Sequence, residues 1–331
     1  MHHHPHRRRF LQIAAAAAGL PLLTIARDGR AEVPLHRWQG TALGARASLT
    51  LAHPDRSEAE RLIAESVAEL ERLEGIFSLY RPDSALCRLN RDGGLAEPPL
   101  ELVALLEESA RFSRLSEGAF DVTVQPLWRL YAEHFAAPNA DPAGPPAAAI
   151  AAAKALVDWR GVEVTGEGIR LARPGMAVTL NGIAQGFVTD RIADRLRAAG
   201  LTQVLADLGE IRALGSHPSG RPWRAGLADP QRPGAVAREV PLTDAALATS
   251  AASGTPFEPT GRFHHLLDPM TGASAQHWLS VSVTAPRAVI ADALSTTLSI
   301  VPPDRIPAIL AAATPARAWL TGRDGRMIEL A

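Results

Sequence analysis

"VIADALSTTLSI", Val289 to Ile300, is mostly apolar, yet Asp292, Ser295 and Thr296 sit inside it. The flanks define a helix. Pro286 suits a first helical turn, and Pro302-Pro303 ends the element. On a helix, Ser295 falls three residues after Asp292 and Thr296 four, so the three share a face. Leu294, Leu298 and Val301 fall on another face at core spacing. Two readings of the oxygens follow. Hydroxyls inside a helix often bond back to the carbonyl one turn earlier, with a lone Asp solvated. The alternative is a site for a small hard cation, because oxygen-only ligands suit Mg²⁺ or Ca²⁺.

Working outward, the chain mixes helical and strand patterns. "WQGTALGARASLTLA" (38–52) alternates as a strand, and 55–77 carries Leu62, Ile63, Val67, Leu70 and Leu73 at helical spacing. A turn at Pro82-Asp83 precedes a short helix from Ser84, and 99–115 is a further amphipathic helix. "AFDVTVQPLWRLYAEHF" turns helical after Thr123. The Ala/Pro-rich stretch 136–147 is expected to be a mobile surface loop. "AVTL" (177–180) is expected as a strand, and "IAQGFVTDRIADRLRAAG" as a helix with Gly200 at its end. "QVLADLGEIRALG" predicts strand, tight turn, strand. "RPWRAGLADP", "AVAREVPL" and "ALATS" predict a meander. "RFHHLLDPMTG" (262–272) predicts a strand into a Pro/Gly turn, and "LSVSVTAP" a strand before the opening helix. A short helix and strands at 317–330 complete the pattern. Strands and helices mixed with hairpins predict an α+β fold, with mixed or antiparallel sheets and packed helices, in one domain over 32–331.

Composition narrows the function. The 331 residues are 47% hydrophobic, enough for a large core, and net charge is −1. With no basic patch or interleaved aromatics, no nucleic-acid partner is expected. The single Cys87 excludes an intramolecular disulfide and a cysteine metal cage. At the N-terminus, Arg7 to Arg9 precede Phe10-Leu11 and a short apolar run. This order predicts a cleavable twin-arginine export signal over 1–31. The expected location is the periplasm, with no lipoprotein cysteine at the boundary and no retained transmembrane helix.

Several short segments carry candidate chemistry. "RFHHLLDPMTG" holds His264, His265 and Asp268. In a strand the two histidines face opposite sides, so one of them reaches a given pocket. A histidine suits proton abstraction from a hydroxyl near neutral pH. Asp268 also suits bonding within its own turn. "TLNGIAQG" places Asn181, Gly182 and Gly186 at a helix start, where free N–H groups can meet phosphate. "EGAFDVTVQPLW" holds Asp121, and "FSLYRPDSALCRLN" supplies Tyr80, Ser84 and Asn90.

Taken in order, "FSLYRPDSALCRLN", "GAFDVTVQPLW", "TLNGIAQGFVTD", "LADLGEIRALG", "ATSAAS", "HHLLDPMTG" and "ADALSTT" resemble the ApbE-type FAD:protein FMN transferases over roughly 38–325. The resemblance implies a T-fold-like α+β architecture, FAD as substrate and Mg²⁺ as cofactor. It implies transfer of FMN through a phosphoester to a Thr or Ser of a target flavoprotein, with release of AMP. By motif, Gly182, Asp292, Ser295 and Thr296 match the magnesium site, and His265 the histidine that deprotonates the acceptor. Tyr80, Ala119, Phe120, Asp121 and Leu266 match FAD-contacting positions, as do Thr179 and Gln185. The family usually has an acid at Thr179 and often a base at Gln185, so this chain offers FAD different side chains at those two positions; it also usually has a second glycine where Glu210 stands. The wording "LNGIAQGFVTD" and "LGEIRALG" resembles a subgroup associated with nitrous-oxide respiration, whose acceptor is a membrane respiratory flavoprotein. Two rival functions use the same pocket: an FAD pyrophosphatase yielding FMN and AMP, and a non-catalytic FAD-binding or delivery protein.

Overall fold

The computed structural model describes residues 33–313 and 315–331; the expected export signal lies outside them. The described elements begin with a hairpin, β1 (Leu35–Ala42) and β2 (Ala45–Ala52). Helix α1 (Arg56–Phe77) follows, then α2 (Ala85–Asp92), β3 (Gly94–Ala96) and α3 (Leu100–Leu115). Next come α4 (Gln125–Ala136), α5 (Ala147–Lys154), β4 (Val162–Thr165) and β5 (Gly168–Leu171). The second half holds α6 (Ala184–Ala198), β6 (Val204–Asp207), β7 (Ile211–Leu214), β8 (Trp223–Ala228), β9 (Val236–Leu242) and β10 (Ala246–Ala251). The last are β11 (Trp278–Ala285), α7 (Ala288–Ile300), α8 (Ile306–Ala312), β12 (Arg317–Gly322) and β13 (Met327–Leu330).

The main sheet has the order β1-β2-β6-β7-β10-β11-β12-β13, and every neighbouring pair is antiparallel. Helix α7 lies on β10 and β11, α6 packs on α7, and α1 packs on α6. This is the α+β arrangement expected. One face of the sheet buries Leu49, Leu51, Val281, Val283 and Leu320 under these helices. On the other face, the separate β8–β9 ribbon covers Ile211, Ala213, Leu247 and Trp319 with Trp223, Leu227, Val240 and Leu242. Because both faces are covered, β7 is buried along its whole length. Among the described residues no helix is long and apolar enough to cross a membrane.

Helix α7 forms as its flanks require. It starts after Pro286 and stops before Pro302. Leu294, Leu298 and Val301 are fully buried, as the core spacing predicted. Truncating either leucine to alanine costs about 2–5 kcal/mol. The helix N-terminus is held from α6. The buried Asp190 carboxylate accepts from the Ala288 N–H at 2.9 Å and the Val289 N–H at 3.0 Å. Arg212 of β7 donates to the same carboxylate at 2.8 Å, so α6, α7 and the sheet meet at one side chain.

Four local expectations are corrected. The stretch 38–52 is a hairpin and not one strand. Leu43 and Gly44 take φ of 47° and 83° there, the left-handed pair a tight primed turn requires. "AVTL" is extended but joins no sheet. The Asn90 side chain clamps Val178 through both its backbone groups, and the Thr179 N–H donates to the Val122 carbonyl at 2.7 Å. "RFHHLLDPMTG" is irregular, carrying only the isolated bridges Pro256↔His264 and Leu267↔Ser274. The expected meander divides, since β8 and β9 pair with each other while β10 enters the main sheet beside β7 and β11. In each case tertiary hydrogen bonds or faces outrank local alternation. The segment between α4 and α5 is tied back, with His134 Nε2 at 2.9 Å from the Asp141 carbonyl.

Candidate functional site

A cavity of about 450 Å³ opens where the first turn of α6, the inner turn of α7, β10 and the "HHLL" segment converge. Its lining includes Ala119, Phe120, Asp121, Thr179, Gly182, Gln185, His265, Leu266, Asp292 and Thr296. Ten residues expected at the site, drawn from four separate stretches of the sequence, therefore share one space. Two expected members do not line it. Tyr80 is 58% exposed on the loop after α1. Ser295 is fully buried behind the cavity wall, where it donates to the Asp292 carbonyl at 3.0 Å and meets Ser250 Oγ at 2.8 Å. Its hydroxyl thus follows the back-bonding reading and braces Asp292. A slightly larger depression of about 530 Å³ lies between α3 and β4, lined by Arg114, Trp159 and Arg160. It lies against the outer side of Val122 and contains none of the expected residues.

The acidic end of the cavity is built by close approach of α6 and α7. Asp292 Oδ2 accepts from the Gly186 N–H at 2.9 Å, the one hydrogen bond of that carboxylate among the described residues. A Cβ on Gly186 would lie 2.6 Å from the Ala288 carbonyl carbon and 2.8 Å from Asp292 Cβ, so only glycine admits this contact. Gly182 plays the same part beside Thr296, whose Oγ1 would sit 2.9 Å from an added Cβ. Thr296 Oγ1 also meets Ser250 Oγ at 3.2 Å. Burial pushes the Asp292 carboxyl up to about 7, opposed by the Gly186 N–H and reinforced by the charge on Asp190. Such a carboxyl gains strongly from a cation. The donors on offer, a carboxylate and a threonine hydroxyl beside an open glycine turn, are all oxygen and fit Mg²⁺. Among the described residues no three His, Cys, Asp or Glu converge as a metal cage. Mg²⁺ held here would need its remaining ligands from phosphate or water, as is usual for that ion.

The same cavity carries an imidazole. An aromatic cluster fixes its segment: Tyr131 of α4 stacks on Phe257 at 5.8 Å and donates its hydroxyl to the Gly272 carbonyl at 3.0 Å. Leu267 packs against Leu127 and Tyr131 in the same cluster. His265 then faces the cavity while His264 is fully buried, so one of the two reaches the pocket as expected, although their rings lie 6.4 Å apart and not on opposite sides of a strand. Burial pushes the His265 imidazole down to about 4, and the neighbouring His264 adds to this. His265 is therefore neutral at pH 7, with a lone pair able to take a proton. Asp268 serves its own turn, accepting from the Met270 N–H at 2.8 Å and the Thr271 hydroxyl at 2.9 Å. Asp121 likewise caps its own segment. It accepts from the Thr123 N–H and hydroxyl at 2.7 and 2.6 Å and from the Trp159 N–H at 3.0 Å, so it shapes the wall more than it offers free oxygens.

Several cavity residues were given no role from the sequence, Thr249, Ser250 and Glu210 among them. Ser250 and Thr249 come from β10, in "ATSAAS", where only the order of motifs drew notice. Glu210 follows the tight turn at Gly209 and is 7% exposed. Burial, with the carboxyls of Asp292 and Asp207, pushes its own carboxyl well above the usual range. An acid directly after a turn glycine between apolar strands was the available signal.

The α+β fold of this chain is that of solved flavin transferases. The structure of the Pseudomonas stutzeri flavinyl transferase ApbE in its apo form is similar at a TM-score of 0.75 and 29% identity, covering 90% of this chain and 94% of that one. The flavin transferase ApbE from Vibrio cholerae is similar at 0.76 and 27% identity, covering 90% and 97%. The chain belongs to the ApbE family, whose sequence model matches residues 43–320. The FAD:protein FMN transferase of Treponema pallidum is 34% identical over 267 residues, covering 72% of this chain and 71% of that protein. That of Haemophilus influenzae is 32% identical over 259 residues, covering 74% of each.

Proposed function

We propose that the protein is a Mg²⁺-dependent transferase that moves FMN from FAD to a Thr or Ser hydroxyl of a target flavoprotein. The observation that carries this is that His265 and the Asp292–Thr296 oxygens line one cavity. The volume suits a cofactor-sized ligand with part of it projecting outward. The acceptor hydroxyl attacks the flavin-side phosphorus. A new P–O bond to the protein forms, the bond from that phosphorus to the bridging oxygen breaks, and AMP leaves with that oxygen. The hydroxyl proton passes to His265, whose neutral form is the one populated at pH 7. The diphosphate, as an anion beside the ring, raises the imidazole's proton affinity when substrate is bound. Asp292 and Thr296 would hold Mg²⁺, which when bound neutralises charge gathering on the phosphates. Apolar Phe120, Leu266 and Leu267 exclude water that would otherwise compete as acceptor.

The twin-arginine pattern at Arg7 to Arg9 supports action in the periplasm, and the subgroup wording supports a membrane respiratory flavoprotein as acceptor. The test is a split between binding and transfer. His265→Ala should bind FAD about as tightly as the parent while losing FMN transfer by about 100-fold or more. Parallel loss of FAD binding would recast His265 as a cofactor contact and remove it from the chemistry.

A further inference from the structure

Gln185 and Glu210 line the floor of the cavity beside the acidic end, and each is 7% exposed. Thr189 Oγ1 ties them together, donating at 2.8 Å to the Gln185 carbonyl and lying 3.3 Å from the Glu210 carbonyl. The Gln185 amide lies along Gly209, where an added Cβ would stand 2.7 Å from its Cδ. Its Nε2 is buried without a hydrogen-bond partner. The Glu210 carboxyl is faced by the Thr249 N–H and sits near enough to Asp292 for their charges to interact. No Lys or Arg lines the cavity among the described residues, so Glu210 is not half of an ion pair there. A carboxyl accepts several hydrogen bonds, and most of that capacity is unused.

The cavity therefore offers, on residues joined through Thr189 and Gly209, one buried donor with no partner and one acceptor with spare lone pairs, with no hydrogen bond between them. A hydroxyl group both donates and accepts, and so satisfies the two together. A phosphate would meet repulsion from Glu210, and an apolar group would leave both side chains unsatisfied. We propose that Gln185 and Glu210 read a sugar hydroxyl of FAD next to the diphosphate, the hydroxyl donating to Glu210 and accepting from Gln185 Nε2. This rests on the functional reading above. The hydroxyl belongs to the ribityl chain or to the adenosine ribose, since both flank the diphosphate.

The experiment is equilibrium binding by flavin fluorescence with Mg²⁺ present. The probes are FAD, an analogue lacking one ribose hydroxyl and an analogue lacking one ribityl hydroxyl. The parent protein should bind one analogue about 10- to 100-fold more weakly than FAD, and which analogue identifies the sugar. In the double variant Gln185→Met, Glu210→Ala that ratio should fall to about 1, while Glu210→Gln, which keeps an acceptor oxygen, should retain most of it. Equal binding of analogues of every sugar hydroxyl by the parent protein overturns the assignment without any variant having to fold. So does discrimination that survives in the double variant. If the parent protein binds no FAD at all, the functional reading falls and the hydroxyl assignment falls with it.

Discussion

Replacing Gly186 with alanine tests how tightly the two helices of the site must approach. At an ordinary position in a helix this change stabilises, by up to about 1 kcal/mol, because alanine restricts the unfolded chain. Here the new methyl would stand 2.6 Å from the Ala288 carbonyl carbon, 2.8 Å from Asp292 Cβ, and nearer still to the Ala288 oxygen. Two of these atoms are backbone, so no side chain can swing away. Ordinary carbon contact requires the helices to part by roughly 1 Å. The Gly186 N–H to Asp292 Oδ2 bond, now 2.9 Å, would then leave hydrogen-bonding range. Overpacking costs about 1–3 kcal/mol and loss of a bond to a buried carboxyl about 1.5–3, giving about 2.5–6 kcal/mol in sum. Thermal unfolding followed by circular dichroism should show a fall of about 5–10 °C. Mg²⁺-dependent turnover of FAD should fall with it, because Asp292 loses its orienting donor. A Gly186→Ala protein with an unchanged or raised melting temperature would refute the reasoning, since the sign alone separates a tight contact from an ordinary helical glycine.

Asp190→Ala removes the carboxylate that joins Arg212 to the start of α7 and should cost about 3–5 kcal/mol, because the buried guanidinium is left unpaired. Adding Arg212→Met should recover much of that loss in denaturant titrations, whereas no recovery would show that the pair itself is not the source. Asp292→Asn keeps the volume but weakens a cation site, so FAD turnover should lose its response to added Mg²⁺, and a retained response would place the cation elsewhere. The buried His264 imidazole, pushed down to about 4 by burial, gives a pH signature. Between pH 6.5 and 4 the unfolded chain takes up this proton and the folded chain does not, so the His264 contribution falls with falling pH, by about 3 kcal/mol in all. Asp207, pushed up by burial to about 6, acts with the opposite sign, so the comparison is parent against His264→Leu. Their stability difference should change by that amount across the window, and a difference constant with pH would overturn the assignment.

Much of the site was legible in the sequence because its residues sit in short, ordered segments. The 3-and-4 spacing after Asp292 put its three oxygen-bearing side chains on one helix, and Asp292 and Thr296 line the cavity as expected. Ser295 did not, because spacing defines a face and not which side of that face is covered; β10 brings Ser250 against it. The paired histidines were read through a strand that does not form. One of them still lines the cavity, because the aromatic cluster around Tyr131 fixes the segment through long-range contacts invisible locally. Glu210 and Asp190 illustrate a second limit. Each acquires meaning only from what the fold places around it, Arg212 and the start of α7 for Asp190 and the cavity for Glu210. The hairpin at 38–52 was hidden because alternation continues through its two-residue turn, where only Gly44 marks the reversal.

The central claim is transfer to protein, and the mass of the acceptor tests it most directly. The protein, FAD, Mg²⁺ and a purified flavoprotein domain bearing a candidate Thr or Ser are incubated, and the intact acceptor is weighed by mass spectrometry. The account predicts an acceptor heavier by one FMN less water, with AMP released in equal amount and no gain when the candidate hydroxyl is replaced by alanine. Free FMN and AMP beside an unmodified acceptor would contradict it in favour of hydrolysis, and unchanged FAD in favour of binding alone.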